Sequence, residues 1–205
     1  MLKLYRAPFS TNVERVALAL AHKGLEAEPV WIDYSDRSDV ERVSGQPLVP
    51  VLVDGDEVVV DSMEIVRYLE ERHPDPPLYP ADPARREEML VFIDWFNHVW
   101  KRWPNAIEAE LAAPEPDAQV IDECAAALRG ALDRFEAMLT GREYLMGDEF
   151  SAADCAAFPF LKFALFRDPE DHERFHLILE EHQRLDRRHE RLADWIRRVN
   201  GRPRA

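Results

Sequence analysis

Cysteine, positive charge and long apolar runs are all scarce in this chain, and each shortage excludes a class of function. Only two cysteines occur in 205 residues, Cys124 and Cys155, and neither sits in a Cys-x-x-Cys or Cys/His ligand spacing. That leaves no zinc motif and no dithiol redox motif, and no metal is expected. Acidic residues outnumber basic ones by 40 to 26, for a formal net charge of −14. Such a balance argues against nucleic acid and against an anionic membrane surface as partners. No apolar segment reaches the length of a membrane span, about 18 residues. The opening Met1-Leu-Lys-Leu-Tyr-Arg6 lacks the apolar run of a secretion signal, so a cytoplasmic location is expected. No internal repeat or low-complexity tract breaks the pattern. One stretch departs from the acidic balance: Arg184 to Ala205 holds 8 Arg against 3 acids, and reads as a solvated basic helix.

What is present is enough apolar content, 46%, to fill the core of one large domain or two small ones. Leu2–Tyr5 reads as a strand ended by Ala7-Pro8. Val13, Val16, Ala17, Leu20 and Ala21 recur at helical spacing, with Gly24 as the stop. Glu28–Asp33 reads as a second strand, and the polar stretch from Tyr34 to Arg42 as a loop or short helix. A proline-led strand, an Asp54-Gly55 hairpin and another strand follow, then a helix over Ser62–Arg72. Strand, helix and strand at the start imply a parallel pair joined by a right-handed crossover, and the hairpin makes the last two strands antiparallel. That is a thioredoxin-like arrangement over residues 1–79. Pro74, Pro76, Pro77, Pro80 and Pro83 crowd the next positions and mark a linker at 80–84. Residues 85–205 then carry helical period throughout: Ala84–Trp103, Asp117–Leu139, Ser151–Phe166 and His189–Val199. The expected class is a small α/β domain followed by an all-helical one.

The most informative stretch is the ribbon Pro47-Leu-Val-Pro50-Val-Leu-Val-Asp54-Gly55 running on to Asp61-Ser62 and Leu69. Val49-Pro50 is either a simple strand start or a cis bond, since X-Pro is where cis costs little, about 0.5–1 kcal/mol. Asp61-x-x-Glu64 fits a capping box, and the same helix start is a ready anion site. Ser10, ahead of the first helix, reads as an N-cap or as a hydroxyl aimed into the space before that helix. A thiol placed there would be favoured as its thiolate by the hydroxyl donor and by the positive helix end. Trp95, Phe96, Val99, Trp100 and Trp103 make an unusually aromatic helical segment. Three tryptophans within nine positions cannot all point inward at 100° per residue, so one is expected to face a cleft or a subunit contact. Ser151-Ala-Ala-Asp154 is a local capping pair. His172, His176 and Glu180 at i, i+4 and i+8 read as a solvated helix face and not as metal ligands.

Four of these elements in order resemble the soluble glutathione S-transferases: Ser10-Thr-Asn12-Val-Glu-Arg-Val16, Leu48-Val49-Pro50, Asp61-Ser62 with Ile65, and Gly147-Asp-Glu-Phe-Ser151-Ala-Ala-Asp154. The likeness spans nearly the whole chain and is to serine-type members. It implies glutathione as co-substrate, conjugated to a small hydrophobic electrophile, and a homodimer. It implies that Ser10 stabilises the thiolate, with Asn12 as a second donor. It assigns a cis Val49-Pro50 to the cysteinyl backbone, paired as an added strand would be, and Asp61 and Ser62 to the γ-glutamyl group. For the glycyl end it leaves Arg37, Gln46 and Arg42, with Arg37 first, because Leu48 stands where a polar side chain is usual. Phe9, Trp100 and Trp103 are the expected walls of the electrophile pocket. Isomerase, dehalogenase or peroxidase activity at the same site, use of another low-molecular-weight thiol, and a non-catalytic binding protein are the alternatives. Ala7, at the approximate place of the cysteine-type thiol, disfavours disulfide exchange through the protein.

Overall fold

A computed structural model of the chain describes residues 1–33 and 35–205. Tyr34, the first residue of the polar stretch read from sequence, lies outside the described residues. The chain divides into two compact units, residues 1–80 together with 202–205, and residues 81–201.

The first unit is a four-stranded sheet in the order β2-β1-β3-β4, made of β1 (Leu2–Arg6), β2 (Glu28–Trp31), β3 (Val51–Asp54) and β4 (Glu57–Val60). β1 and β2 are parallel across helix α1 (Thr11–His22), while β1/β3 and β3/β4 are antiparallel, as the strand-helix-strand order requires. The hairpin turns on Gly55 and Asp56, with Asp54 still paired to Glu57; Gly55 takes the positive φ of +62° that a tight hairpin demands. Alternation along the strands gives the sheet two buried faces. Tyr5, Val51 and Val53 share one with Ile32 and with Val40 of the short helix α2 (Ser38–Ser44). Leu2, Leu4 and Leu52 point the other way, toward the side where α1 packs on α3 (Ser62–Arg72). α1 is buried on nearly every side, from Val13 through Leu20, and stops at Gly24 with φ +64°.

Lys23 ties this unit together. Its side chain is fully enclosed and donates to Glu70 at 2.7 Å and to the carbonyls of His73 and Pro76 at 2.6 and 3.0 Å. Glu70 in turn accepts from the Leu78 and Tyr79 amides, so the proline-rich segment is held by one buried ion pair. Residues 202–205 lie on α1. Arg204 pairs with Glu14 at 2.9 Å, Arg202 donates to His22, and the Ala205 amide donates to the Ala17 carbonyl. The expectation of one solvated basic helix is therefore corrected for this segment, whose arginines are spent on the first unit.

The second unit is helical: α4 (Pro83–Trp95), α5 (Arg102–Ala112), α6 (Ala118–Met138), α7 (Ala152–Leu161), α8 (Arg174–His182) and α9 (Glu190–Asn200). The single helix expected over Ala84–Trp103 is interrupted by a π turn at Phe96–Trp100, where the Lys101 amide reaches back to the Phe96 carbonyl. Pro104 supplies the reason, because it has no N–H for the Trp100 carbonyl and its ring crowds that turn. α7 is buried throughout and starts on a capping box at Ser151 and Asp154. Asp154 accepts from the Ser151 amide and hydroxyl, the Leu145 amide and the Trp195 indole. Its burial pushes the carboxyl pKa up while these donors pull it down. The reading of His172, His176 and Glu180 as one solvated face is also corrected. His172 precedes α8, whereas His176 is buried, stacked on Phe163 and bonded to Asp171 at 2.8 Å. Glu180 pairs with Arg167.

Candidate active site

The predicted ligand-binding residues of the first unit gather at three places where its backbone changes direction. Ser10 is the N-cap of α1. Its Oγ accepts the Val13 N–H at 3.3 Å, and its carbonyl accepts the Glu14 N–H at 3.0 Å. Capping uses a lone pair of the hydroxyl and leaves its hydrogen to be donated elsewhere, so the two readings of Ser10 are compatible. Asn12 is half-buried in the first turn of the same helix. Phe9, immediately before, has φ +58° and is 38% exposed.

Asp61 opens α3 in the same manner. It has φ +70°, and its carboxylate accepts from the Met63 and Glu64 amides at 2.8 and 3.3 Å. The capping reading of Asp61 is thus present in the structure. Among the described residues, Phe9 and Asp61 alone combine a side chain with a positive φ. Each costs roughly 1–3 kcal/mol in backbone strain, which folds retain chiefly at functional positions. Each also directly precedes a site serine. Ser62, next to Asp61, is 2% exposed, and its Oγ accepts from Arg15 at 3.2 Å. Arg15 was not singled out from sequence. It is 2% exposed on the most buried helix of the unit and carries a positive charge to the start of α3. The available signal was an arginine set among Val13, Val16 and Ala17, the residues that mark the buried side of α1.

The third place is the loop into β3. The Val49–Pro50 bond is cis, as expected, with Val49 half-buried and Pro50 buried. Ahead of it, Gln46 folds back on its own loop. Its Oε1 accepts the Leu48 N–H at 2.7 Å, and its Nε2 donates to the Leu48 carbonyl at 2.9 Å and the Ser44 hydroxyl at 3.1 Å. Arg37 donates to the Pro47 carbonyl at 3.0 Å. Of the side chains expected at the glycyl end, Arg37 and Gln46 thus brace residues 46–48, while Arg42 pairs with Asp39. Leu48 itself is 66% exposed.

Of the expected electrophile walls, Trp100 needs correction. It is 1% exposed in the second unit's core, stacked on Phe96 at 4.5 Å with Phe160 against its edge. The wide turn that ends at Trp100 rotates it into this cluster. Trp103 is half-buried and meets Trp95 edge-on at 6.4 Å. Among the described residues, no group of three or more His, Cys, Asp or Glu is placed to hold a metal, and no helix is long and apolar enough to cross a membrane.

A thioredoxin-like sheet followed by a helical unit, with a cis-proline and two serine-bearing helix starts, defines the architecture of a thiol-binding transferase. Known proteins agree. Residues 4–77 match the glutathione S-transferase N-terminal domain, and residues 118–198 match its C-terminal domain. The chain is 36% identical over 166 residues to glutathione S-transferase 3 of Zea mays, covering 75% of this chain and 73% of that one. It is 32% identical over 202 residues to glutathione S-transferase Z2 of Arabidopsis thaliana, covering 92% and 85%. A stringent starvation protein A homolog of Pasteurella multocida is 30% identical over 148 residues, covering 72% and 67%. The fold also superposes on the tau-class glutathione S-transferase MiGSTU of mango, with a TM-score of 0.78 at 21% identity over 98% of this chain and 88% of the other. The chain belongs to the glutathione S-transferase family, which uses glutathione as co-substrate.

Proposed function

We propose that this protein conjugates the thiolate of glutathione to a small hydrophobic electrophile, with Ser10 holding the sulfur as its anion. The observation that carries the reading is the Ser10 hydroxyl at the start of α1, which caps the helix through a lone pair and keeps its proton to donate. A free thiol, with a pKa near 8.5, is largely protonated at neutral pH. A hydroxyl donor together with the positive end of a twelve-residue helix favours the thiolate. Asn12 serves as a second donor, the Val49 backbone pairs with the cysteinyl unit, and Asp61, Ser62 and Arg15 receive the γ-glutamyl group. Phe9 and Trp103 remain the electrophile-facing residues, and the working form is a homodimer.

Ser10→Ala is expected to lower kcat/KM about a hundredfold, the scale of losing one preorganised donor. It is also expected to raise the pKa of the bound thiol, followed by thiolate absorbance against pH. Ser10→Gly costs only a few tenths of a kcal/mol in capping, so an equal loss in that variant assigns the effect to the hydroxyl and not to the helix. Unchanged rates in both variants would refute the assignment.

A relative at 30% identity is named for stringent starvation and not for glutathione transfer, which supports a second reading, a non-catalytic binding protein on the same fold. Retention on immobilised glutathione with elution by the free tripeptide, followed by turnover of an aryl halide, separates the two. Isomerisation, dehalogenation or peroxide reduction would begin from the same thiolate and differ only in the electrophile.

A further inference from the structure

We infer that the site recognises its thiol through the γ-glutamyl end alone, so that γ-glutamyl thiols with a neutral or missing third residue are used as well as glutathione. The inference rests on the reading that α1, α3 and the Val49-Pro50 loop hold a γ-glutamyl thiol, and it specifies the co-substrate class.

The two ends of that site differ in kind. At the start of α3 stands a buried guanidinium, Arg15, 3.2 Å from the Ser62 hydroxyl, beside the N-terminus of an eleven-residue helix. Buried cation, hydroxyl and helix dipole all favour a carboxylate there. At the other end, the polar side chains nearest Leu48 among the described residues already hold partners within their own segment. The Gln46 amide is closed on the Leu48 backbone at 2.7 and 2.9 Å and on Ser44. Ser44 Oγ donates to the Val40 and Gln46 carbonyls. Arg37 braces the Pro47 carbonyl, and Arg42 is paired with Asp39. What this edge presents to solvent is the Leu48 side chain, 66% exposed.

A carboxylate laid against leucine loses water and gains no donor, so it stays hydrated and adds little to binding. A neutral ester or amide in the same place loses less hydration and covers Leu48. The γ-glutamyl carboxylate, by contrast, meets a buried cation whose interaction is not available from solvent. Recognition is therefore steep at one end and flat at the other.

The test is steady-state conjugation of one aryl halide by the full chain with four thiols: glutathione, its glycyl monoethyl ester, γ-glutamylcysteine and cysteinylglycine. The expected kcat/KM values for the ester and for γ-glutamylcysteine lie within about threefold of glutathione, while cysteinylglycine falls by about a hundredfold or more. A tenfold or larger preference for glutathione over its ester overturns the inference. Leu48→Lys is expected to create a glutathione-over-ester preference of about fivefold or more. Failure to create one would place the third residue away from Leu48 and overturn the inference equally. Arg37→Ala is expected to change glutathione and ester rates in parallel, as loss of a loop brace does. A selective loss with glutathione would make Arg37 the carboxylate ligand, against the inference. If none of the four thiols is turned over and none elutes the protein from immobilised glutathione, the underlying reading falls first. That outcome is distinct from turnover with a strong glycyl preference.

Discussion

Lys23 shows how one side chain governs a segment far from it in sequence. Its ammonium is fully enclosed and satisfied by Glu70 and by the carbonyls of His73 and Pro76. Removing one member of a buried pair leaves the other charge without compensation, at a cost of about 3–5 kcal/mol. Lys23→Ala is expected to lose that much in urea unfolding, and replacing Lys23 and Glu70 together by apolar residues is expected to recover part of it. A loss below about 1 kcal/mol would show the pair to be solvated. The sequence displayed Lys23 only as the charged end of an amphipathic helix before Gly24. Its partners lie 47 to 53 positions away, beyond any periodic signal. Arg15 was hidden for a related reason. Its neighbours Val13, Val16 and Ala17 identify the buried face of α1, but α1 is enclosed almost all round, so no face remained on which a charge could be read as exposed. Ser10, Asp61 and the cis Val49-Pro50, by contrast, are local devices made of adjacent residues, and they were legible for that reason.

At the scale of elements, α7 shows what a capping motif can and cannot tell. Ser151-x-x-Asp154 announced the helix start, and the structure has both reciprocal bonds. It did not announce that the same carboxylate accepts from the Leu145 amide and the Trp195 indole at 3.1 and 2.8 Å. Asp154→Ala therefore removes more than a cap. About 1 kcal/mol goes with the cap, and each buried donor left without a partner adds about 1–3 kcal/mol. The expected total is about 4 kcal/mol in denaturant unfolding, together with a shift in Trp195 fluorescence. A cost near 1 kcal/mol would limit Asp154 to capping. The π turn at Phe96–Trp100 is the opposite case. Helical periodicity ran unbroken through it, and only Pro104, four residues past Trp100, signalled the interruption. The misplacement of Trp100 follows from that turn, since a widened turn rotates every side chain after it relative to an ideal helix.

At the scale of the molecule, the division into an α/β unit and a helical unit was visible as a change of period at a cluster of prolines. The return of residues 202–205 to α1 was not, because four residues carry no period. That return has a pH signature. Burial depresses the His22 imidazole below its usual value near 6.5, aided by the Arg202 guanidinium and opposed by the Pro77 carbonyl. The neutral ring donates from Nε2 to Pro77 and accepts at Nδ1 from Arg202. Burial depresses His182 likewise. The unfolded chain binds these protons first as pH falls, so stability held above about pH 6.5 is lost as the pH drops through the lower folded values. Melting temperature is expected to fall over that window, and His22→Gln is expected to flatten part of the slope; an unchanged slope would assign it elsewhere. The Gln46 side chain carries a consequence of another sort. By taking the Leu48 N–H and donating to its carbonyl, one amide occupies the two backbone groups that an added strand would pair with there. A peptide paired at Val49, as proposed, would find the Leu48 backbone groups already taken, so the pairing would stop one residue on and a longer extended chain would gain nothing there.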